Sequence, residues 1–116
     1  MPDAGSSGMR VAGYGGRMDR LSLEDALSRR EAVLRVFVAE DGSLRSIPTK
    51  AAKRMVVLDH VVQAFPIGES WPEVEVNDVL RRYHPDVAAL RRYLVDDGFL
   101  DRRDGRYWRS GGSTDV

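Results

Sequence analysis

The chain has 116 residues, of which 42% are hydrophobic and 31% charged, and this length suits one globular domain. It contains no cysteine, which excludes disulfides, thiolate metal sites and cysteine nucleophiles. Its 18 basic and 18 acidic residues cancel, so the chain lacks the overall positive charge that often accompanies nucleic-acid binding. Any argument for such binding must rest on local placement.

The two ends of the chain are polar and show no hydrophobic period. Residues 1–18 are rich in Gly and Ser, and residues 111–116 form a short polar tail. Such segments bury too little apolar area to offset the entropy lost on ordering, so both are predicted to be disordered around a domain at 19–110. There is no apolar run of membrane-spanning length and no signal peptide, so we expect a cytoplasmic protein without membrane contact.

The first predicted helix runs from Ser22 to Ala39. Ser22 can cap the free amide groups of its first turn, and Asp41-Gly42 ends it with a turn. Its apolar side chains recur at helical spacing on one stripe: Leu23, Ala26, Leu27, Leu34, Phe37 and Val38. The stripe indicates a core contact or a dimer contact, and a homodimer through helix 22–39 is the expected oligomer because symmetric dimers are the commonest.

Three more helices are predicted, at about 49–65, 73–83 and 86–97. His84-Pro85 makes the turn between the last two, and Gly98 supplies the left-handed residue that ends the fourth. Winding the fourth helix at 3.6 residues per turn places Val87, Leu90 and Leu94 on one side and Ala88, Ala89, Arg92 and Asp96 on the other, with Arg91 on the border.

A tight hairpin follows, with strands at 99–102 and 106–109 joined by Asp104-Gly105. Alternation sends one face of it to the core and carries arginines on the other. It also requires Tyr107 and Trp108 to point in opposite directions, so one of them is expected to pack beneath the fourth helix. The predicted core is Leu27, Leu34, Phe37, Leu58, Val61, Phe65, Val76, Leu80, Val87, Leu90, Leu94, Phe99 and Leu100.

Several sequence blocks in order resemble a bacterial family, the domain of unknown function 2087, over about residues 31–109. The blocks are DGSLRSIP (41–48), KRMVVL (53–58), EVN (75–77), DVAALRRYLVDDGFLDR (86–102) and GRYW (105–108). The resemblance implies a winged-helix-like domain associated with transcriptional regulation, without enzyme activity or an established set of ligand residues. Trp71-Pro72 departs from the family's usual aromatic followed by Thr or Ser, and we expect the fold to survive this change.

The predicted fold is therefore mainly α with a small β-hairpin, a single winged helix-turn-helix-like domain. The expected function is that of a transcriptional regulator module that binds DNA through a recognition helix (about 86–97) and an arginine-rich hairpin wing (99–109). The candidate DNA contacts are Arg82, Arg91, Arg92, Arg102, Arg103, Arg106 and Arg109. Nearby aspartates could instead pair with these arginines on a solvated surface.

The alternative function is a non-catalytic module for protein interaction, dimerisation or sensing, without DNA contact. Enzyme activity is not expected, because no catalytic motif or phosphate-cradling Gly loop is present. His60 and His84 lack metal-site spacing, so no metal or cofactor is predicted, and the sequence does not identify a small-molecule effector.

Overall fold

The structure, a computed structural model, describes residues 12–114, and the side chains from residue 23 onward. The helices are α1 (Ala12–Phe37), α2 (Ala51–Val62), α3 (Glu73–Arg81) and α4 (Val87–Asp96). The strands are β1 (Ser70–Pro72), β2 (Leu100–Arg103) and β3 (Arg106–Arg109). The chain divides into two compact units, residues 1–32 and 33–116, and everything from α2 onward belongs to the second. This mixed α/β architecture is compatible with the predicted winged-helix arrangement.

Helix α1 begins at Ala12, before the predicted start at Ser22. Extending a helix that already exists fixes one residue for each hydrogen bond gained, which is easier than starting one, and no proline stops the extension. Residues 12–18, for which the sequence predicted disorder, are therefore helical, and the rest of that prediction, residues 1–11, falls outside the described residues. Leu27, expected in the core, is 51% exposed. An apolar stripe identifies a face of a helix, but it does not say what covers that face.

The core lies in the second unit, where most of the predicted residues are buried. Those that are buried as predicted are Leu58, Val61, Phe65, Val76, Leu80, Leu90, Leu94, Phe99 and Leu100. Leu34, Phe37 and Val87 are only half-buried. The core is completed by four residues outside the predicted set, Leu44, Val57, Val62 and Tyr107.

The hairpin turns where the sequence predicted. Asp104 and Gly105 have φ of 53° and 78°, the left-handed conformation that a two-residue turn of this type requires, and Gly98 ends α4 with φ of 86°. A third strand, β1, was not predicted. It pairs antiparallel with β3, so the sheet order is β1-β3-β2. Pro72 closes this edge strand, where the lack of an N–H costs no ladder hydrogen bond, and then caps α3 without a side-chain hydrogen bond.

The chain beyond β3 is held against α2. The buried carboxylate of Asp59 accepts hydrogen bonds from the backbone N–H and the hydroxyl of Ser113, both at 2.6 Å. Gln63 and Arg109 donate to the Ser113 carbonyl at 2.8 and 2.6 Å. We call Asp59, Gln63, Arg109 and Ser113 the tail clamp. The sequence predicted disorder for residues 111–116, whereas the tail clamp holds this segment as far as Ser113. The reason is that charge-assisted hydrogen bonds can order a polar segment that has no apolar side chain to bury. Residues 115–116 lie outside the described part of the chain.

Candidate functional site

Helix α4 has a buried face and an exposed face, in the phase that the sequence predicted. Leu90 and Leu94 are fully buried, whereas Ala88, Arg92 and Asp96 are exposed. The helix starts at a capped end, since the Asp86 carboxylate accepts a hydrogen bond of 3.1 Å from the Ala89 N–H. The exposed face therefore projects from a helix whose orientation is fixed by its leucines and its cap.

Arg91 lies at the border of the two faces, as expected, and it connects α4 to α3. Its guanidinium donates a hydrogen bond to the Asn77 side-chain carbonyl, and its Nε lies 3.8 Å from Glu73 Oε1. The side chain is only 23% exposed. Arg91 is consequently held in one place before any ligand arrives.

A second set of contacts connects the hairpin to α3. Tyr107 is buried, which decides between the two aromatic residues of β3, and its hydroxyl donates a hydrogen bond of 2.6 Å to Glu73 Oε1. Arg102 donates to the same hydroxyl at 3.4 Å. The hydrogen bond from Tyr107, followed by the charges of Arg91 and Arg102, lowers the pKa of Glu73. The tyrosine contact and the Glu73 charge together raise the pKa of Arg102.

These groups surround a cleft between α4 and the hairpin, with a volume of about 310 Å³. It is lined by Ala88, Arg91, Arg92, Val95, Asp96, Arg102 and Tyr107. Three of the seven predicted arginines therefore meet at one place. Within the described chain, the guanidinium of Arg92 makes no ion pair or hydrogen bond, so its full charge faces the solvent.

The remaining hairpin arginines are divided between the two faces of the sheet. Arg102 pairs with Tyr107 and Arg103 with Arg106, so alternation puts Arg102 and Arg109 on the helical side and Arg103 and Arg106 on the outer side. Arg103 is 85% exposed, and its Nε lies 3.9 Å from the Asp104 carboxylate. Such an exposed ion pair contributes little to stability, so the Arg103 guanidinium can still contact another charged group.

One arginine on each side of the sheet uses its donors for hydrogen bonds within the protein: Arg106 on the outer side and Arg109 on the inner side. Arg106 donates to the Ser70 hydroxyl at 3.0 Å and to its carbonyl at 2.9 Å, which ties β3 to β1. Arg109 donates to the carbonyls of Phe65, Gly111 and Ser113. The sequence placed Arg109 among the solvent-facing arginines, and its position on the inner face of β3 explains the difference.

Arg82 lies apart from the cleft between α4 and the hairpin. It lines a separate hollow of about 220 Å³, beside Asp41, Gly42, His60, Ala64 and Tyr83. There the His60 ring shares a hydrogen bond of 3.0 Å with the Gly42 carbonyl. The grouping of all seven arginines into one surface is therefore not observed, and the cleft keeps only Arg91, Arg92 and Arg102.

Sequence reasoning missed the residues that hold the arginines. Sequence patterns alone predict no contact for Glu73, Asn77 or Ser70. One signal was available: a two-residue turn at Asp104-Gly105 fixes the register, and this register puts Arg102 opposite Tyr107. The contact of both with Glu73 depends on packing between distant segments, which no local pattern contains.

Two further features of residues 12–114 concern metal binding and membrane insertion. This part of the chain has no cluster of three or more His, Cys, Asp or Glu side chains able to hold a metal ion. Nor does it contain a helix that combines the length and the apolar character needed to cross a membrane.

The chain was compared with known families, curated proteins and solved structures. A family model described as "Uncharacterized protein conserved in bacteria (DUF2087)" matches residues 43–109. No curated protein and no solved structure matches the chain. The matched range covers more than half of the 116 residues and includes α2, the sheet and the whole cleft. The chain belongs to the DUF2087 family.

Proposed function

We propose that this protein is a winged-helix DNA-binding module, in which α4 is the recognition helix and the β2–β3 hairpin is the wing. The order of elements from α2 to β3, with β1 paired to the last strand, supports this assignment. The observation that carries the proposal is the meeting of Arg91, Arg92 and Arg102 in one cleft between the helix and the hairpin.

The charges that DNA would contact are fewer than the sequence suggests. Arg92 on the outer face of α4 and Arg103 on the outer face of the hairpin are exposed and have no strong partner within the described chain. Both suit contact with phosphates, because a free guanidinium can donate two parallel hydrogen bonds to a phosphate group. Arg106 and Arg109 serve the fold, and Asp96 reduces the positive potential near Arg92.

A salt titration of duplex DNA binding tests the proposal. We expect binding of a mixed-sequence duplex that weakens steeply with salt, because phosphate contacts release condensed counterions. The double variant Arg92→Ala/Arg103→Ala should bind more weakly and reduce the slope of log K against log salt by about 1.8, the value for two lost phosphate contacts. The matched control is Arg45→Ala/Arg81→Ala, which removes the same charge from exposed positions outside the cleft.

The result separates a specific surface from a general charge effect. Equal weakening by the two double variants, or no binding by the wild-type protein at low salt, would refute the DNA-binding proposal. Arg106 is kept in both variants, since its loss would release β1 from β3 and confuse a binding effect with a folding effect.

A second candidate is self-association through α1. Leu23 and Leu27 are 59% and 51% exposed, and they lie one helical turn apart on the same stripe. We propose a second copy of the chain as the partner of this stripe, because a two-fold dimer would bury both leucines against their equivalents. Sedimentation velocity should show a dimer that Leu23→Ser/Leu27→Ser converts to a monomer. A wild-type monomer at high concentration would exclude the dimer.

A further inference from the structure

We propose that the cleft between α4 and the hairpin is a seat for a single phosphate group, and that Glu73 limits how tightly this group is held. The inference builds on the proposed function, because it names the chemical group that the same site takes. It also extends to free phosphate monoesters, which need no contact with the outer face of the hairpin. Its supporting observations are the size of the cleft, the fixed arginines and the position of Glu73.

The cleft has the dimensions and lining of a small polar site. Its volume of about 310 Å³ lies at the lower end of the range for ligand pockets, roughly 300–1,000 Å³. Ala88 and Val95 are the apolar part of its lining, and Arg91, Arg92 and Arg102 are the cationic part. A guanidinium presents parallel N–H donors at the spacing of two phosphate oxygens. Three such groups in a space of this size suit a tetrahedral oxyanion.

Two of the arginines are positioned before a ligand binds. Asn77 and Glu73 hold Arg91, and the Tyr107 hydroxyl holds Arg102. Side chains that are already ordered lose less conformational entropy on binding. Arg92 has no such contact within the described residues, so it can adjust to the ligand from the exposed edge of the cleft.

Glu73 is the group that opposes binding of an anion. Its carboxylate accepts the Tyr107 hydrogen bond and lies 3.8 Å from the Nε of Arg91. The charge of Glu73 therefore reduces the positive potential at the arginines that a phosphate would contact. Three guanidinium charges against the carboxylates of Glu73 and Asp96 leave a net charge of +1 (3 − 2). Removing the charge of Glu73 doubles this excess.

Titration of the full-length chain with inorganic phosphate, at constant ionic strength in chloride, tests the inference. The readout is the Nε–Hε signals of the arginines in ¹⁵N–¹H NMR spectra. We expect saturable shifts for Arg91, Arg92 and Arg102. Glu73→Gln preserves an acceptor for Tyr107 while removing the charge. It should tighten phosphate binding by roughly three- to tenfold, about the effect of two unit charges roughly 4 Å apart when water screens them, as it does at the exposed Glu73.

Two matched substitutions distinguish phosphate binding in the cleft from a general effect of removing one positive charge. Arg92→Gln removes a cleft guanidinium that makes no internal contact, so it should weaken phosphate binding by about tenfold without affecting the fold. Arg103→Gln removes the same charge from an exposed position on the outer side of the hairpin, outside the cleft lining, and should change the affinity by about twofold or less. Equal effects of these two variants would overturn the seat.

The source of the phosphate is resolved by repeating the titration with a nucleoside monophosphate and with a short duplex. Competition of the duplex with inorganic phosphate assigns the seat to the DNA backbone. Binding of the monophosphate alone assigns it to a free ligand, and refutes DNA binding without refuting the seat. Absence of saturable shifts in the arginine signals overturns the phosphate seat, even if DNA binds through Arg103. Equal phosphate affinities of the wild type and Glu73→Gln overturn the role of Glu73.

Discussion

Arg109 and Arg92 belong to neighbouring parts of the same domain, yet their surroundings give them opposite roles. Arg109 lies on the inner face of β3 and donates to three backbone carbonyls, so its guanidinium stabilises the tail clamp. Arg92 lies on the outer face of α4 and keeps its donors free within the described chain. The comparison teaches that an arginine whose donors are taken up by several backbone carbonyls is a poorer candidate for a ligand contact than one whose donors are free.

The same contrast separates Asp59, which shares Ser113 with Arg109, from Asp96, which lines the cleft with Arg92. Asp59 is 7% exposed and accepts hydrogen bonds from Ser113 and Gln63, whereas Asp96 is exposed at the rim of the cleft. The tail clamp is thus a structural polar cluster, and the cleft is a polar cluster open to solvent.

The largest change in stability is expected at Leu94, because this side chain fixes the orientation of α4 and therefore the position of Arg92. Leu94 is fully buried, and its truncation to Ala should lower the free energy of unfolding by about 2–5 kcal/mol, through lost apolar burial and the cavity left behind. Urea denaturation would measure the change. A cost near zero would mean that α4 presents a different face to the core, and the cleft would lose its basis.

Asp59→Ala should lower the free energy of unfolding by about 1–3 kcal/mol. The substitution removes the acceptor for the Ser113 N–H and hydroxyl, so that hydrogen bonds to a charged group are lost. The matched control is Asp96→Ala, which should change the stability by no more than about 0.5 kcal/mol because Asp96 is exposed. Equal stabilities of the two variants would show that the tail clamp does not hold in solution.

Arg109→Gln should destabilise the domain by about 1–2 kcal/mol, since several charge-assisted hydrogen bonds to carbonyls are lost. Arg92→Gln is its counterpart at the cleft and should leave the melting temperature almost unchanged. Differential scanning fluorimetry of both variants measures the difference. The assignment of structural and free arginines would be reversed if Arg92→Gln were the more destabilised protein.

The smallest effect concerns the pH dependence contributed by Glu73. Its pKa in the folded state is lowered below the ordinary value of 4.5, chiefly by the Tyr107 hydrogen bond. Its ionised form therefore stabilises the fold above pH 4.5, and this contribution is lost as the pH falls through the lowered pKa. Denaturation at pH 7 and pH 3 should show that the stability difference between wild type and Glu73→Gln narrows at acidic pH. A difference that stays constant would contradict the Tyr107–Glu73 contact.

Much of the architecture around the cleft could be predicted from local patterns. The phase of Leu90 and Leu94, the left-handed Gly98 and the Asp104-Gly105 turn follow from helical periodicity and from the backbone angles that these residues favour. The short strand β1 could not be predicted, because Pro72 disfavours a strand unless it lies at a sheet edge, and only the pairing with β3 creates that edge.

The candidate site shows where such prediction stops. Periodicity separated exposed Arg92 from buried Leu94, since both lie on one helix whose faces are set by 3.6 residues per turn. It could not separate Arg109 from Arg103. That difference depends on which side of the sheet packs against the helices and on the Phe65 carbonyl, which lies 44 residues away along the chain.

The sequence by itself determined the helices, the hairpin turn and the apolar faces, because these depend on residues a few positions apart. Only the tertiary structure decided which charges are free, because Glu73, Asn77 and Ser70 reach the arginines from segments 14 to 36 residues away. Hydrogen bonds and ion pairs form between side chains that packing brings together. A local sequence pattern does not show which distant segments will pack against each other.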